Sequence, residues 1–199
     1  MHKLTKQDSM PFIFLAFFMA IFVALSNFLV QFPIIFFGME SILTYGALSY
    51  PVTFLITDLA NRRYGKNTAR QIVYIGFFLG ILLTLFFSTN FSDLISIRVA
   101  IGSGTAFLTA QLLDVQIFDK LRKRTWFVAP FFSSLVGSFI DTFLFFSIAF
   151  YGTNLNWVML ALGDFSVKLI LALIMLIPFR MFMSKLKDVE KYSVKISSI

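Results

Sequence analysis

The feature that most constrains the fold is a series of six long apolar runs. Each run contains about 20 residues, the length at which an α-helix crosses the hydrocarbon core of a bilayer. The runs predict helices at roughly 11–30, 41–60, 68–88, 96–118, 127–151 and 156–180, followed by a tail at 181–199. We therefore expect an all-α membrane protein, with a six-transmembrane-helix bundle forming a single domain over residues 1–199.

The composition supports this class and excludes several kinds of chemistry. The 199 residues are 58% hydrophobic and only 14% charged, which leaves more apolar surface than a soluble domain of this size can bury. Cysteine is absent, and the single histidine, His2, lies at the N-terminus. Disulfides, iron–sulfur clusters, cysteine nucleophiles and histidine–zinc sites are therefore excluded from the membrane region. We predict no cofactor, no metal and no enzyme activity.

The basic residues predict how the helices are oriented. All of the 17 Lys and Arg residues except Arg98 and Lys168 flank the predicted helices on one side. They are Lys3, Lys6, Arg62, Arg63, Lys66, Arg70, Lys120, Arg122, Lys123, Arg124, Arg180, Lys185, Lys187, Lys191 and Lys195. Because basic loops stay in the cytoplasm, we expect both termini to be cytoplasmic in a multi-pass protein of the inner membrane. The net charge of +7 is then a topology signal beside the lipid bilayer, so we expect no nucleic-acid partner.

Three charged residues lie inside the last two apolar runs. They are Asp141, Asp164 and Lys168, and each costs roughly 2.5–3.5 kcal/mol near the middle of a bilayer unless it is paired or hydrated. Asp164 and Lys168 are four residues apart and can form an ion pair on one helix face. This pairing leaves Asp141 without an evident partner, and Arg98 is the candidate. Alternatively, all three charges line a hydrated cavity that binds a polar ligand.

Other polar residues can join such a cavity or act near the inner face. Asn27 and Gln31 are four residues apart on the first helix, and Gln111 lies within the fourth. Near the inner face, Asp58 can pair with Arg62 one turn later. Asp114 repeats that acidic position on the fourth helix, before the second basic loop.

A stripe of small residues runs along the first helix. Ala16, Ala20 and Ala24 recur at intervals of four, a spacing that lets helices approach closely in lipid. Packing inside the bundle is the simpler interpretation. Contact with a second copy or with another subunit is the alternative.

Several short motifs in order and spacing resemble the queuosine precursor transporters, also called the vitamin uptake transporter family. The matching segments are SNFLVQFP at 26–33, TDLANRRYG at 57–65 with Ala69 and Arg70, RVA at 98–100, QLLD at 111–114 with Phe118, Ala129 and Pro130, Asp141 and Thr142, Ala149 and Phe150, and DFSVK at 164–168. The resemblance covers nearly the whole chain. It implies import of 7-cyano-7-deazaguanine, of 7-aminomethyl-7-deazaguanine or of both, for salvage of queuosine in tRNA.

The resemblance also implies roles for the polar residues. Asp141 and Asp164 would accept hydrogen bonds from the guanine-like N–H groups, and Gln111 and Lys168 would bind the carbonyl. Asn27 and Gln31 would line the access route to the cavity. Near the inner face, a gate would form from Asp58 and Asp114 paired with Arg62, Arg63 or the basic loop. These gate roles, and that of Arg98 as a partner for Asp141, complete the predicted site.

Two alternatives come from other classes of protein. The family is distantly similar to the six-helix substrate-binding subunits of energy-coupling-factor vitamin importers, which need an ATPase partner. In those subunits small residues of the first helix contact the coupling subunit, which would be the role of Ala16, Ala20 and Ala24. A remote alternative is an intramembrane aspartyl hydrolase, in which Asp141 and Asp164 would share a proton. The neighbouring Lys168 does not favour that chemistry.

Overall fold

Six helices form the described part of the chain, in the order that the apolar runs predict. The structure is a computed structural model, and it describes residues 6–29, 32, 45–87 and 94–183, with side chains at 11–29, 32, 45–83 and 97–183. The helices are α1 (Lys6–Leu29), α2 (Tyr45–Tyr64), α3 (Lys66–Phe87), α4 (Leu94–Leu121), α5 (Val128–Phe150) and α6 (Trp157–Met183). No β-strand occurs within these described ranges, so the predicted all-α class is confirmed.

Short connections join the later helices, and local backbone chemistry explains where each helix ends. Gly65 has a φ of 82° and separates α2 from α3 by a single residue. This left-handed conformation suits glycine, and the Gly65 N–H donates to Asn61 O at 2.9 Å as a helix C-terminal bond. Between α5 and α6, the side chain of Asn156 accepts a hydrogen bond from the Met159 N–H at 3.3 Å and caps the start of α6.

Three of the helices are long and apolar enough, by length and composition alone, to cross a membrane. They are α1 over Pro11–Leu29, α5 and α6. Large apolar side chains point outward, and Phe14 and Phe17 on α1 and Ile170 and Met181 on α6 are each more than half exposed. A soluble protein rarely exposes so much apolar surface, so this is the surface of a membrane protein. The second helix is more polar because it supplies Ser49, Thr53, Thr57, Asp58 and Asn61 to the interior, and the fourth helix adds Gln111 and Asp114.

The basic connections meet at one end of the bundle, which we call the basic end. Arg62, at the end of α2, donates to Arg122 O at 3.0 Å, and Arg122 donates to Asn61 O at 2.7 Å. The guanidinium of Arg180, near the end of α6, lies 4.6 Å from the ring centroid of Trp126 in the connection between α4 and α5. Three segments that the sequence separates therefore contact one another, as expected if their charges face one side of a membrane.

The small-residue stripe on α1 is an internal packing surface. Ala16 and Ala20 are buried, and the facing positions on α3 are Gly76 and Gly80. A Cβ at Gly76 would lie 3.2 Å from Ala16 O, and a Cβ at Gly80 would lie 3.1 Å from Ala20 O. The stripe lets α1 and α3 approach closely, as the simpler interpretation predicted. The alternative, an exposed docking stripe, is wrong for Ala16 and Ala20, whereas Ala24 is half-buried.

A second close approach holds the helices that carry the charged residues. Gly137 lies on α5, where a Cβ would come within 2.6 Å of the Phe54 ring on α2 and 3.5 Å of Ala110 O on α4. The absence of a side chain at Gly137 therefore brings α2, α4 and α5 together. These three helices and α6 enclose most of the buried polar residues.

Candidate functional site

Lys168 is the centre of a buried charged cluster between α5 and α6. Its Nζ lies 2.9 Å from Asp141 Oδ2 and 2.6 Å from Asp164 Oδ2. The hydroxyl of Thr142 donates to Asp164 Oδ2 at 2.8 Å and accepts from Lys168 Nζ at 3.1 Å. We call these four residues the lysine cluster. The predicted pair of Asp164 and Lys168 is present, and the same lysine also binds Asp141.

The hydrogen-bonding capacity of the lysine cluster is unevenly used. An ammonium group has three N–H donors, and the three contacts of Lys168 occupy all of them. Each carboxylate still has its second oxygen, Oδ1, which takes no part in the contacts with Lys168 and Thr142. With two carboxylates and one ammonium, the cluster has a formal charge of −1. In this conformation it can accept hydrogen bonds more readily than it can donate them.

Aromatic rings and further polar groups lie beside the lysine cluster. Lys168 Nζ is 5.6 Å from the centroid of the Tyr50 ring, which packs edge-on against Phe107 at 5.7 Å. The Tyr50 hydroxyl is 3.0 Å from Ser103 Oγ, and Ser103 Oγ donates weakly to Asn27 Oδ1 at 3.4 Å. Asn27 is thus connected to the cluster through two side chains. The predicted partner of Asn27, Gln31, lies outside the described residues.

Gln111 lies deeper in the bundle and is bound by α2. It is fully buried, its Oε1 accepts from Thr57 Oγ1 at 2.6 Å, and its Nε2 donates to Thr53 Oγ1 at 2.9 Å. The structure does not bring Gln111 into contact with the lysine cluster. It links α4 to α2 between that cluster and the basic end.

Two carboxylates face each other closer to the basic end, and we call Asp58 and Asp114 the carboxylate pair. Their side chains are 2% and 0% exposed and lie close enough to interact electrostatically. Ser133 Oγ donates to Asp58 Oδ1 at 3.2 Å. Neither carboxylate oxygen of Asp114 makes a hydrogen bond of ordinary geometry within the described residues, although Ser133 and Asp58 are its polar neighbours.

The contacts described for Asp58 and for Arg98 differ from the predicted ion pairs. Asp58 faces Ser133 and Asp114, and Arg62 donates to Arg122 O in the neighbouring loop. The pairing of Asp58 with Arg62 is not among these contacts and stays a prediction.

Arg98 has a different role from the one predicted. It donates to Ile148 O at 3.0 Å and to Tyr151 O at 2.8 Å, the carbonyls at the C-terminal end of α5. The last carbonyls of a helix have no partner within the helix, and they carry partial negative charge. Arg98 therefore caps α5, and Asp141 takes Lys168 as its partner instead.

Sequence reasoning missed several hydroxyl groups that hold these sites together. Thr142 bridges Asp164 and Lys168, Thr53 and Thr57 bind Gln111, and Ser133 binds Asp58. The signal for the two α2 threonines was their spacing, because Thr53 and Thr57 are one turn apart on a single face. Ser133 is eight residues before Asp141, about two turns, and gave a comparable signal on α5.

The positions of the acidic side chains can also be compared with the requirements of a metal site and of an aspartyl hydrolase. Within the described residues no group of three or more His, Cys, Asp or Glu side chains could hold a metal ion. Asp141 and Asp164 are bridged by the ammonium of Lys168, so they are not arranged as a dyad sharing one proton. The aspartyl hydrolase alternative therefore lacks its required geometry at these two residues.

Comparison with known proteins identifies the family. The sequence profile of a family described as "Putative vitamin uptake transporter" matches residues 44–183. A Haemophilus influenzae protein named "Probable queuosine precursor transporter" is 35% identical over an alignment of 204 positions, and the alignment covers 87% of this chain and 86% of that protein. The Escherichia coli "Queuosine precursor transporter" is 32% identical over an alignment of 183 positions that covers 82% of each chain.

A third relative is less similar in sequence. The "Probable queuosine precursor transporter" of Bacillus subtilis is 30% identical over an alignment of 163 positions that covers 70% of each chain. These relatives are named as transporters and not as enzymes. No solved structure matches the chain significantly. Since the profile and the relatives cover most of its length, the chain belongs to the vitamin uptake transporter family, to which its motifs already pointed.

Proposed function

We propose that this chain imports queuosine precursors across the inner membrane, for salvage of queuosine in tRNA. The substrates are 7-cyano-7-deazaguanine, its 7-aminomethyl relative, or both. One observation carries the proposal: three relatives named as queuosine precursor transporters align with 70–87% of the chain. The buried polar interior, which a simple membrane anchor would not need, supports it.

The proposed topology is a six-span bundle in one membrane domain over residues 1–199, with both termini in the cytoplasm. The contacts among Arg62, Arg122, Asn61, Arg180 and Trp126 support it, because they gather basic segments at one end. The lysine cluster then lies in the outer half of the bundle and the carboxylate pair in the inner half.

We assign substrate recognition to the lysine cluster. Asp141 Oδ1 and Asp164 Oδ1 accept from the N–H groups along the guanine-like edge of the base, as ionised carboxylates do for such donors. The rings of Tyr50 and Phe107 lie beside the cluster and suit a flat heterocycle. Asn27, with Gln31 nearby in sequence, lines the access route from outside.

Donation to the substrate carbonyl requires a rearrangement. Lys168 already uses its three donors, and both ends of the Gln111 amide are bound to α2. Substrate binding therefore exchanges one contact of Lys168, most simply that with the neutral hydroxyl of Thr142, for a contact with the base. Gln111 and its two threonines lie farther along the path and take part as the base moves inward.

The inner gate is formed at the basic end. Arg122 binds both the carbonyl and the side-chain oxygen of Asn61, and Arg62 binds Arg122 O. Opening this end separates α2 from the connection between α4 and α5. Asp58 lies about one turn before Arg62 on α2, and Asp114 lies about two turns before the end of α4. At the opposite end of α4, Arg98 fixes this helix to α5.

Uptake of radiolabelled precursor tests both the function and the site. Cells that can neither make nor import the precursor are supplied with the wild-type chain, Asp141→Asn, Asp164→Asn or Asp188→Asn. We expect uptake and tRNA queuosine with the wild type and with Asp188→Asn, whose carboxylate belongs to the tail at 181–199. Both cluster variants lose uptake at equal protein levels. If cells supplied with the wild-type chain take up no precursor, the proposed function is refuted. If Asp141→Asn and Asp164→Asn take up precursor as well as the wild type does, the proposed site is refuted.

Reconstitution separates a complete carrier from a substrate-binding subunit that needs an ATPase. Since Ala16 and Ala20 are buried against α3, a coupling subunit or a second copy would need another surface. We expect the purified chain alone to move labelled precursor into liposomes. Uptake only after addition of an ATPase complex, or copurification with one, would favour the binding subunit.

A further inference from the structure

The carboxylate pair is an unusual arrangement for two charged groups inside a membrane protein. Asp58 and Asp114 come from different helices, α2 and α4, and are 2% and 0% exposed. Asp58 has one hydrogen bond, from Ser133, whereas both oxygens of Asp114 are buried without a hydrogen-bond partner in the described parts of the chain. An unpartnered buried acceptor of this kind indicates a missing donor.

The contacts described for the nearest basic residues are with groups other than Asp58 and Asp114. On α2, Arg62 donates to Arg122 O, and at the end of α4 Arg122 binds Asn61 and pairs with Asp119 at 3.2 Å. On α6, Lys168 is occupied by the lysine cluster. The contribution of α5 is hydroxyl groups, from Ser133 and Ser134. None of the interactions that the structure describes for Asp58 or Asp114 involves a cation.

Two ionised carboxylates facing each other in a low-dielectric interior repel each other, and both lose hydration. A proton held between them removes one charge and supplies the donor that Asp114 lacks. This solution is the one that buried carboxylate pairs adopt elsewhere. A metal ion would need more oxygen or nitrogen ligands than two carboxylates and a serine provide, and the described residues contain no cluster of three suitable side chains.

A cleft offers a path to the pair. The cleft is small and is lined by Asp58 and Ser134, together with apolar side chains of α2, α5 and α6 such as Leu55, Pro130 and Phe179. Asp58 is thus the member of the pair that borders a cleft, and Asp114 lies behind it. Water in this cleft would let a proton leave Asp58 towards the basic end.

We propose that Asp58 and Asp114 form a proton-binding site, occupied in the described conformation, and that exchange of this proton is coupled to substrate movement. The binding of the proton stands on the geometry alone. The coupling rests on the proposed transport function. With the inner gate closed, the pair takes up a proton from the outside. When the inner gate opens, the substrate and this proton leave to the cytoplasm, so that one proton crosses the membrane inward in each cycle.

Infrared spectroscopy of the purified chain tests proton binding without any substrate. At neutral pH we expect a C=O stretching band of a protonated carboxylic acid that shifts in D2O. The band is lost in Asp58→Asn/Asp114→Asn and kept in Asp119→Asn. Absence of the band in the wild type would overturn the proton-binding site. This part of the experiment does not depend on whether the variants fold. Persistence of the band in the double variant would also overturn it.

Proteoliposomes test the coupling. Labelled precursor uptake is compared with and without an outside-acidic pH gradient, and we expect the gradient to accelerate uptake by the wild type and by Asp188→Asn. In Asp58→Asn/Asp114→Asn the ratio of the two rates falls to one. A wild type that ignores the gradient, or that responds to sodium instead, would overturn the coupling. If the wild type takes up no precursor, the proposed function fails and the coupling with it, and the infrared band still decides the proton site.

Discussion

The lysine cluster and the carboxylate pair are built from the same acidic residue, but they balance its charge in opposite ways. In the lysine cluster one ammonium lies 2.9 Å and 2.6 Å from two carboxylate oxygens, and a threonine completes the network. In the carboxylate pair no cation is described, and Asp114 has no hydrogen bond of ordinary geometry. Burial is nearly the same in both, so the counter-charge is the real difference.

This difference indicates what each region can do. A buried charge with an opposite charge at hydrogen-bond distance is held in one ionisation state and in one orientation. The lysine cluster therefore suits recognition, since its remaining acceptors keep fixed positions. A buried pair of like charges is relieved by gaining or losing a proton. The carboxylate pair therefore suits exchange, and two regions with the same acidic side chain perform separate steps of one cycle.

Removing the cation of the lysine cluster should have the largest effect on stability. Lys168→Met leaves Asp141 and Asp164 buried without a counter-charge, and we expect a loss of about 3–5 kcal/mol in the free energy of unfolding. The measurement is chemical unfolding of the purified chain in mixed micelles.

A compensated variant is the control for that substitution. In Lys168→Met/Asp141→Asn/Asp164→Asn no charge remains in the cluster, so most of the lost stability should return while uptake stays absent. If Lys168→Met alone is as stable as the wild type, the carboxylates are not held by this lysine, and the contrast between the two regions disappears.

The same substitution should have unequal effects in the two regions. Asp141→Asn replaces a charge-assisted hydrogen bond to Lys168 and should cost about 1.5–3 kcal/mol. Asp114→Asn replaces a carboxylate that has no cation with an amide that can itself donate to Asp58, so we expect no loss of stability. Thermal unfolding of both purified variants, beside Asp119→Asn, measures the difference. Equal destabilisation by the two variants would show that Asp114 has a stabilising partner.

The sequence was a good guide to the helices and to the polar positions. Apolar runs of membrane-spanning length predict all six helices of the described chain, because hydrophobic length is a local property. The pairing of Asp164 with Lys168 was predictable because the two residues share one helix and are four residues apart.

Contacts between helices were harder to predict. Asp141 binds Lys168 from the next helix, and Asp58 faces Asp114 from a helix more than 50 residues away in sequence. Such partners depend on the rotation of each helix about its axis, which close approaches such as that at Gly137 determine. The single-helix rule that found Asp164 and Lys168 could not predict the contact of Asp58 with Ser133, because Ser133 lies on α5.

The smallest effect should come from the hydroxyl groups that support each region. Thr142→Val keeps the shape of the side chain but removes a donor to Asp164 and an acceptor for Lys168. Because the ion pairs of Lys168 persist, we expect the free energy of unfolding to fall by about 1 kcal/mol.

Ser133→Ala removes one hydrogen bond of 3.2 Å to Asp58. A shared proton would neutralise the pair at this site, so we expect the free energy of unfolding to fall by only ~0.5 kcal/mol. Unfolding of both variants in the same micelles ranks them. A larger cost for Ser133→Ala than for Thr142→Val would mean that Asp58 is ionised and depends on Ser133, which would contradict a proton held between Asp58 and Asp114.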